Sequence, residues 1–209
     1  FWDDFSFNTN SGLPNDTLWE SSARVFVNDG LGINPPSIRV ATFDGLDSLG
    51  SPYNVTDVLA KGFADRLISR KINLEAVPAD QRSTVYLSFY YQIKGLGEMP
   101  DTDDNFSLWL KNSNGTWENV FTAAYNTELD PKVFNYVTVP VSEDRFFHAE
   151  FQFKFENFAR LSGPYDMWHL DYVYLNSGRV AGERSMPDRT ISMNLTSIFD
   201  GYHAIPISH

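Results

Sequence analysis

Ala149-Glu150-Phe151-Gln152-Phe153-Lys154-Phe155 sets three phenylalanines on one side of an extended chain and Glu150, Gln152 and Lys154 on the other. Successive side chains of a strand point to opposite faces, so this period of two predicts a half-buried strand with one solvated face. Trp168-His169-Leu170-Asp171-Tyr172-Val173-Tyr174-Leu175 reads in the same way. Its alternation puts Trp168, Leu170, Tyr172 and Tyr174 on one face and His169, Asp171, Val173 and Leu175 on the other. Residues 84–93 are almost continuously apolar, as a central strand covered on both faces would be. Residues 106–110 and 117–121 flank Asn112-Ser113-Asn114-Gly115, and Asn-Gly between two apolar runs predicts a hairpin. Residues 39–43, 67–74 and 135–139 extend the pattern to eight or nine strands, and the one helical candidate, 54–60, is too short to organise a fold. The expected architecture is all-β: an antiparallel β-sandwich of the jelly-roll type over residues 1–178. Residues 179–209 read as a C-terminal extended tail, a linker or the start of a further module.

Composition narrows the function. The 209 residues suffice for one large domain with a single core. With 17 Phe, 10 Tyr and 5 Trp, the chain has ample ring surface to fill that core. A formal net charge of −11 argues against a partner held through phosphates, so no nucleic acid is expected. No run of 18 apolar residues is present, so no helical membrane span is expected. The chain has no cysteine, which removes disulfides, thiolate zinc sites and cysteine nucleophiles together.

Three constellations could carry chemistry. His169 and Asp171 share a strand face, a base and an orienter in principle, but no Gly-x-Ser-x-Gly accompanies them. No enzyme is expected. The acids at Asp3, Asp4, Asp44, Asp47 and Asp171 form the second group. The first and last strands of a jelly roll commonly pair, which would bring Asp3 or Asp4 to Asp171, while 44–50 is a glycine-bearing acidic loop. Hard oxygens gathered in that way suit a structural Ca²⁺. A second acidic loop, 98–104, lacks the spacing of a calcium loop and reads as solvated. Aromatic platforms are the third group, with Tyr90, Trp109, Trp117, Tyr125 and Tyr136 as candidate ligand-binding rings.

The segment from Phe151 through Leu161-Ser162-Gly163 to Asp166-Met167-Trp168-His169-Leu170-Asp171-Tyr172-Val173 resembles the closing strands of MAM-like and concanavalin-like jelly-roll modules. Trp2-Asp3-Asp4-Phe5-Ser6, followed by Trp19-Glu20, looks like their first strand. Taken whole, residues 1–178 are similar to secreted surface proteins of Bacteroidota linked to gliding motility or type IX secretion. The resemblance implies an exported, non-enzymatic module at the cell surface, with a calcium ion near its termini held by Asp3 or Asp4 and Asp171. Adhesion or assembly through contacts with other cell-surface or secretion-system proteins is the first reading. Its alternative is a carbohydrate-binding module that stacks glycans on exposed rings.

Overall fold

The computed structural model describes residues 1–7, 12–126 and 128–185. Among them ten strands form two antiparallel sheets. They are β1 (Trp2–Asp3), β2 (Phe26–Asn28), β3 (Val40–Phe43), β4 (Lys61–Ile68), β5 (Tyr86–Ile93), β6 (Asn105–Lys111), β7 (Trp117–Ala124), β8 (Asn135–Pro140), β9 (Phe153–Arg160) and β10 (Trp168–Asn176). One sheet runs β2-β3-β10-β5-β8 with β1 also on β10, and the other runs β4-β9-β6-β7. The chain is a jelly-roll β-sandwich, as the alternation predicts.

The two inner faces meet in rings. Phe89 of β5 lies edge-on to Phe155 of β9, with centroids 4.9 Å apart, and Phe43 of β3 meets Phe106 of β6 at 5.0 Å. Phe106 also stacks on Phe155 and on Trp168. Each fully buried ring of this kind removes enough apolar surface to contribute about 2–3 kcal/mol, and edge-on contacts add to that. Phe151, Phe153 and Phe155, the three that the sequence aligns on one side, are all fully buried.

Several boundaries differ from the sequence reading, each for a physical reason. The strand expected at 67–74 lies at Lys61–Ile68, because Asp65 and Arg66 look too polar for a strand and a bulge between Phe63 and Arg66 breaks their alternation. The strand expected at 149–155 is displaced to Phe153–Arg160; Phe151 holds only an isolated bridge to Ile72. Gln152, expected in solvent, is buried and donates to the Ser69 carbonyl and to Glu20. In β10 a bulge lies between Asp171 and Tyr174, with Tyr172 at φ 55°. It reverses the faces: Val173 and Leu175 join Trp168 and Leu170 in the core, and Tyr172 turns out beside Tyr90 and Trp2.

The start of the expected tail lies on the sheet. Buried Arg179 donates to the carbonyls of Tyr86 and Tyr174 and covers the Tyr174 ring. Residues 186–209 lie outside the described residues.

Candidate functional site

The outer face of the four-stranded sheet is set by register. Trp109 on β6 faces Lys154 of β9 on one side and Asn119 of β7 on the other. One step along the strands toward the hairpin, Lys111 faces Trp117. One step the other way, Thr122, Ser107, Glu156 and Arg66 form a row across all four strands. A further step ends in Asn105, Phe158 and Phe63. These residues share a face because they alternate with Leu108, Leu110, Phe153 and Phe155 of the core.

Lys154 organises the centre of this face. Its ammonium lies 5.2 Å from the Trp109 ring and 5.5 Å from the Trp117 ring, and it donates to Glu156 at 2.7 Å. A cation between two indoles holds both rings in place. Lys111 also approaches Trp117, at 5.7 Å, and donates to Gln152. Beside the rings runs a polar ladder, in which Ser107 and Thr122 hydroxyls lie 3.0 Å apart and Thr122 donates to Asn119. Both tryptophans are half-buried, while Asn119, Thr122 and Arg66 are exposed. The result is a surface of two half-buried rings with the Thr122 hydroxyl, the Asn119 amide and the Arg66 guanidinium exposed beside them, while Ser107 and Glu156 are themselves buried. Such a surface can stack on the C–H face of a sugar ring while hydrogen-bonding its edge.

The other aromatic candidates lie elsewhere. Tyr90 and Tyr136 pair across β5 and β8 on the outer face of the six-stranded sheet, with centroids 4.9 Å apart. The chain itself occupies that face. Tyr136 donates to the Glu183 carbonyl and lies under Arg184. The loop after β2 crosses Gln92, whose amide bonds both the N–H and the carbonyl of Ile33. Tyr125 packs against the core. The sequence therefore names the two tryptophans but not Lys154, Lys111, Arg66, Ser107 or Thr122. Their signal was available as the polar partners of the core positions, although charged residues on a strand ordinarily read as solvated.

The acids fall into separate places. Asp3 faces inward and accepts from the indole of fully buried Trp19 at 2.6 Å and from the Phe5 amide at 2.9 Å; burial pushes its carboxyl up to about 6. Asp171 faces outward, fully buried under Ser37, whose N–H and hydroxyl reach its two oxygens at 2.8 and 3.0 Å. The Ser37 Oγ also lies 2.6 Å from the Asp4 carbonyl and 3.0 Å from that of Arg39. One hydroxyl hydrogen cannot serve three acceptors. A proton on Asp171, whose carboxyl burial pushes well above the ordinary range, completes the set, and so would a hard cation among these oxygens.

Asp44 and Asp47 do not join them. Phe43 pairs with Trp168, so Asp44 lies about four residues back along β10 from Asp171, roughly 13 Å away. The Asp44 amide donates to buried Asp65, which also accepts from Tyr53 at 2.5 Å. Asp44 and Asp47 edge a cleft of about 490 Å³ walled by Phe26, Leu31, Leu49 and Met167. Among the described residues, three acids close enough to share an ion occur together at Asp101, Asp103 and Asp104. The Lys61 ammonium fills that place, at 3.2, 2.6 and 3.0 Å. Asp104 is fully buried, which departs from the solvated loop expected there.

His169 and Asp171 are not a catalytic pair. The His169 Nε2–H donates to the Lys94 carbonyl, which fixes Nδ1 as the acceptor of the Thr42 hydroxyl. Asp171 is bonded to Ser37 instead. Burial lowers the imidazole to about 4, so it is neutral and structural.

No protein-family model and no curated protein matches this chain. Among solved structures it is similar to a xylan-binding domain of carbohydrate-binding family 22, at 11% identity and a TM-score of 0.50, over 87% of this chain and 96% of that one. A second similar structure is the C-terminal family 22 carbohydrate-binding module of Clostridium thermocellum Xyn10B, at 11% identity and a TM-score of 0.46, over 86% and 95% of the two chains. At this identity the likeness is one of fold.

Proposed function

We propose that the chain is a non-enzymatic carbohydrate-binding module that takes a polysaccharide along the outer face of its four-stranded sheet. The observation that carries this reading is the pair Trp109 and Trp117, braced by Lys154 beside the exposed Thr122 and Asn119. A fold shared with a xylan-binding domain supports it. The glycan reading thereby takes precedence over adhesion through protein contacts. An exported setting accords with it, and no helix among the described residues is long and apolar enough to cross a membrane.

Affinity electrophoresis in gels containing xylan or other plant and microbial polysaccharides tests the reading. Trp109→Ala and Trp117→Ala should each weaken retardation about tenfold, the usual effect of removing a central aromatic contact. Tyr136→Ala, on the covered face, should leave it unchanged. Retardation by no polysaccharide, or retardation insensitive to both tryptophans, refutes the proposal.

For the cofactor, we infer a Ca²⁺ at Asp171, Ser37 Oγ and the carbonyls of Asp4 and Arg39. These are hard oxygens, three of them already gathered within 2.6–3.0 Å of the Ser37 hydroxyl. Asp44 and Asp47 have no part in it.

A further inference from the structure

We propose that the polysaccharide bound on this face carries carboxylates, as uronic acid units do. The inference rests on the function proposed above and adds the chemical class of the ligand. Its basis is the local charge. The chain as a whole is strongly acidic, with a formal net charge of −11. The rows around Trp109 reverse that balance, with Lys111, Lys154 and Arg66 against the single carboxylate of Glu156.

The three cations differ in what already holds them. Lys154 is committed to Glu156 and to the two indoles. Lys111 donates to the neutral amide oxygen of Gln152. Arg66 is exposed and has no carboxylate in ion-pair contact among the described residues. Arg66 is therefore without an ion-pair partner among the described residues, and Lys111 has only the longer-range attraction of Glu150.

Their placement matches an extended ligand. Lys111 lies two residues along β6 from Trp109, about 7 Å. Arg66 lies two strands across in the opposite sense, on the row of Ser107 and Glu156. Strand spacing and rise put the two cations roughly 16 Å apart, one on each side of Trp109. A glycan crossing the sheet diagonally over that indole would meet a cation on each side of the stacked sugar. The planar fork of Arg66 suits a carboxylate with two parallel N–H donors, and the Lys111 ammonium supplies a point charge.

The test compares glucuronic-acid-substituted xylan with the same polymer after reduction of its carboxyl groups to alcohols. Titration calorimetry at about 0.1 M salt is suitable, because repulsion from the distant acids is then largely screened. The substituted polymer should bind about three- to tenfold more tightly, as two exposed ion pairs allow. That preference should vanish in the Arg66→Gln, Lys111→Gln double variant, which should bind both polymers with one affinity, and in the wild type at about 1 M salt. Equal affinity of the wild type for both polymers would overturn the carboxylate assignment and leave the carbohydrate module standing. So would a preference that survives the double variant. Binding of neither polymer, together with retardation by no polysaccharide in the gel assay, would overturn both readings.

Discussion

Asp171 must have its charge neutralised, since a fully buried carboxylate left bare costs several kcal/mol. A calcium ion that binds only the folded chain adds about 2.7 kcal/mol at 100 times its Kd. The wild type should then melt roughly 5–10 °C lower in excess chelator than in millimolar calcium. Asp171→Asn keeps the shape and an acceptor oxygen for Ser37, and it should melt at one temperature in both. A wild-type melting temperature indifferent to chelator would leave a proton as the sole neutraliser and remove calcium from this chain. Asp171 could be singled out in the sequence because an aromatic strand fixes its place and strand pairing at the termini brings Asp4 to it. Ser37 could not, because it arrives on a loop from 134 residues away that no local pattern announces.

The strands were legible wherever side chains alternate cleanly, and lost where the backbone departs from alternation. β5, β6 and β8 fall within two residues of their expected limits. β4 and the far half of β10 were misread because bulges at 63–66 and 171–174 shift the pleat by one residue, which a period-two reading cannot register. β1 and β2, two and three residues long, are too short to show any period. The hairpin was plain, and its glycine permits a clean experiment. Gly115 has φ +82° with open space around it, so Gly115→Ala should cost about 1 kcal/mol from backbone strain alone. Gly45 offers the contrast. A Cβ there would lie 1.9 Å from the Arg160 carbonyl oxygen and 2.5 Å from that of Gly163, so Gly45→Ala must separate the ends of β3 and β9. It should cost on the order of 3 kcal/mol or more by urea denaturation. Equal costs at the two positions would contradict this account of the turns.

Burial has raised several acids and lowered two bases, His169 and the Phe1 ammonium, and the signs can be followed for the side chains. Asp3, Asp44 and Asp104 are pushed up to about 6, so between roughly pH 6 and pH 4 the folded chain holds protons that the unfolded chain has released. Each adds stability as the pH falls through about 6, fully gained below about 4. His169, lowered to about 4, acts oppositely: the unfolded imidazole takes a proton first, and stability is lost as the pH falls from about 6.5. Three carboxyls against one imidazole should move the urea midpoint upward between pH 7 and pH 5; a falling midpoint would show those carboxyls ionised in the fold. The sandwich also divides its indoles by environment. Trp19 and Trp168 are sealed in the core, Trp109 and Trp117 stand at the outer face of the four-stranded sheet, and Trp2 is exposed beside Tyr172 on the other sheet. The emission of this protein is therefore a sum of a blue component deaf to acrylamide and a redder one that the quencher can reach. A saccharide settling on the four-stranded sheet would shield Trp109 and Trp117 while leaving Trp2 open and the core indoles unaffected. A partial loss of quenching in the wild type that disappears in controls keeping Trp2 as the only indole outside the core therefore reads occupancy without a label.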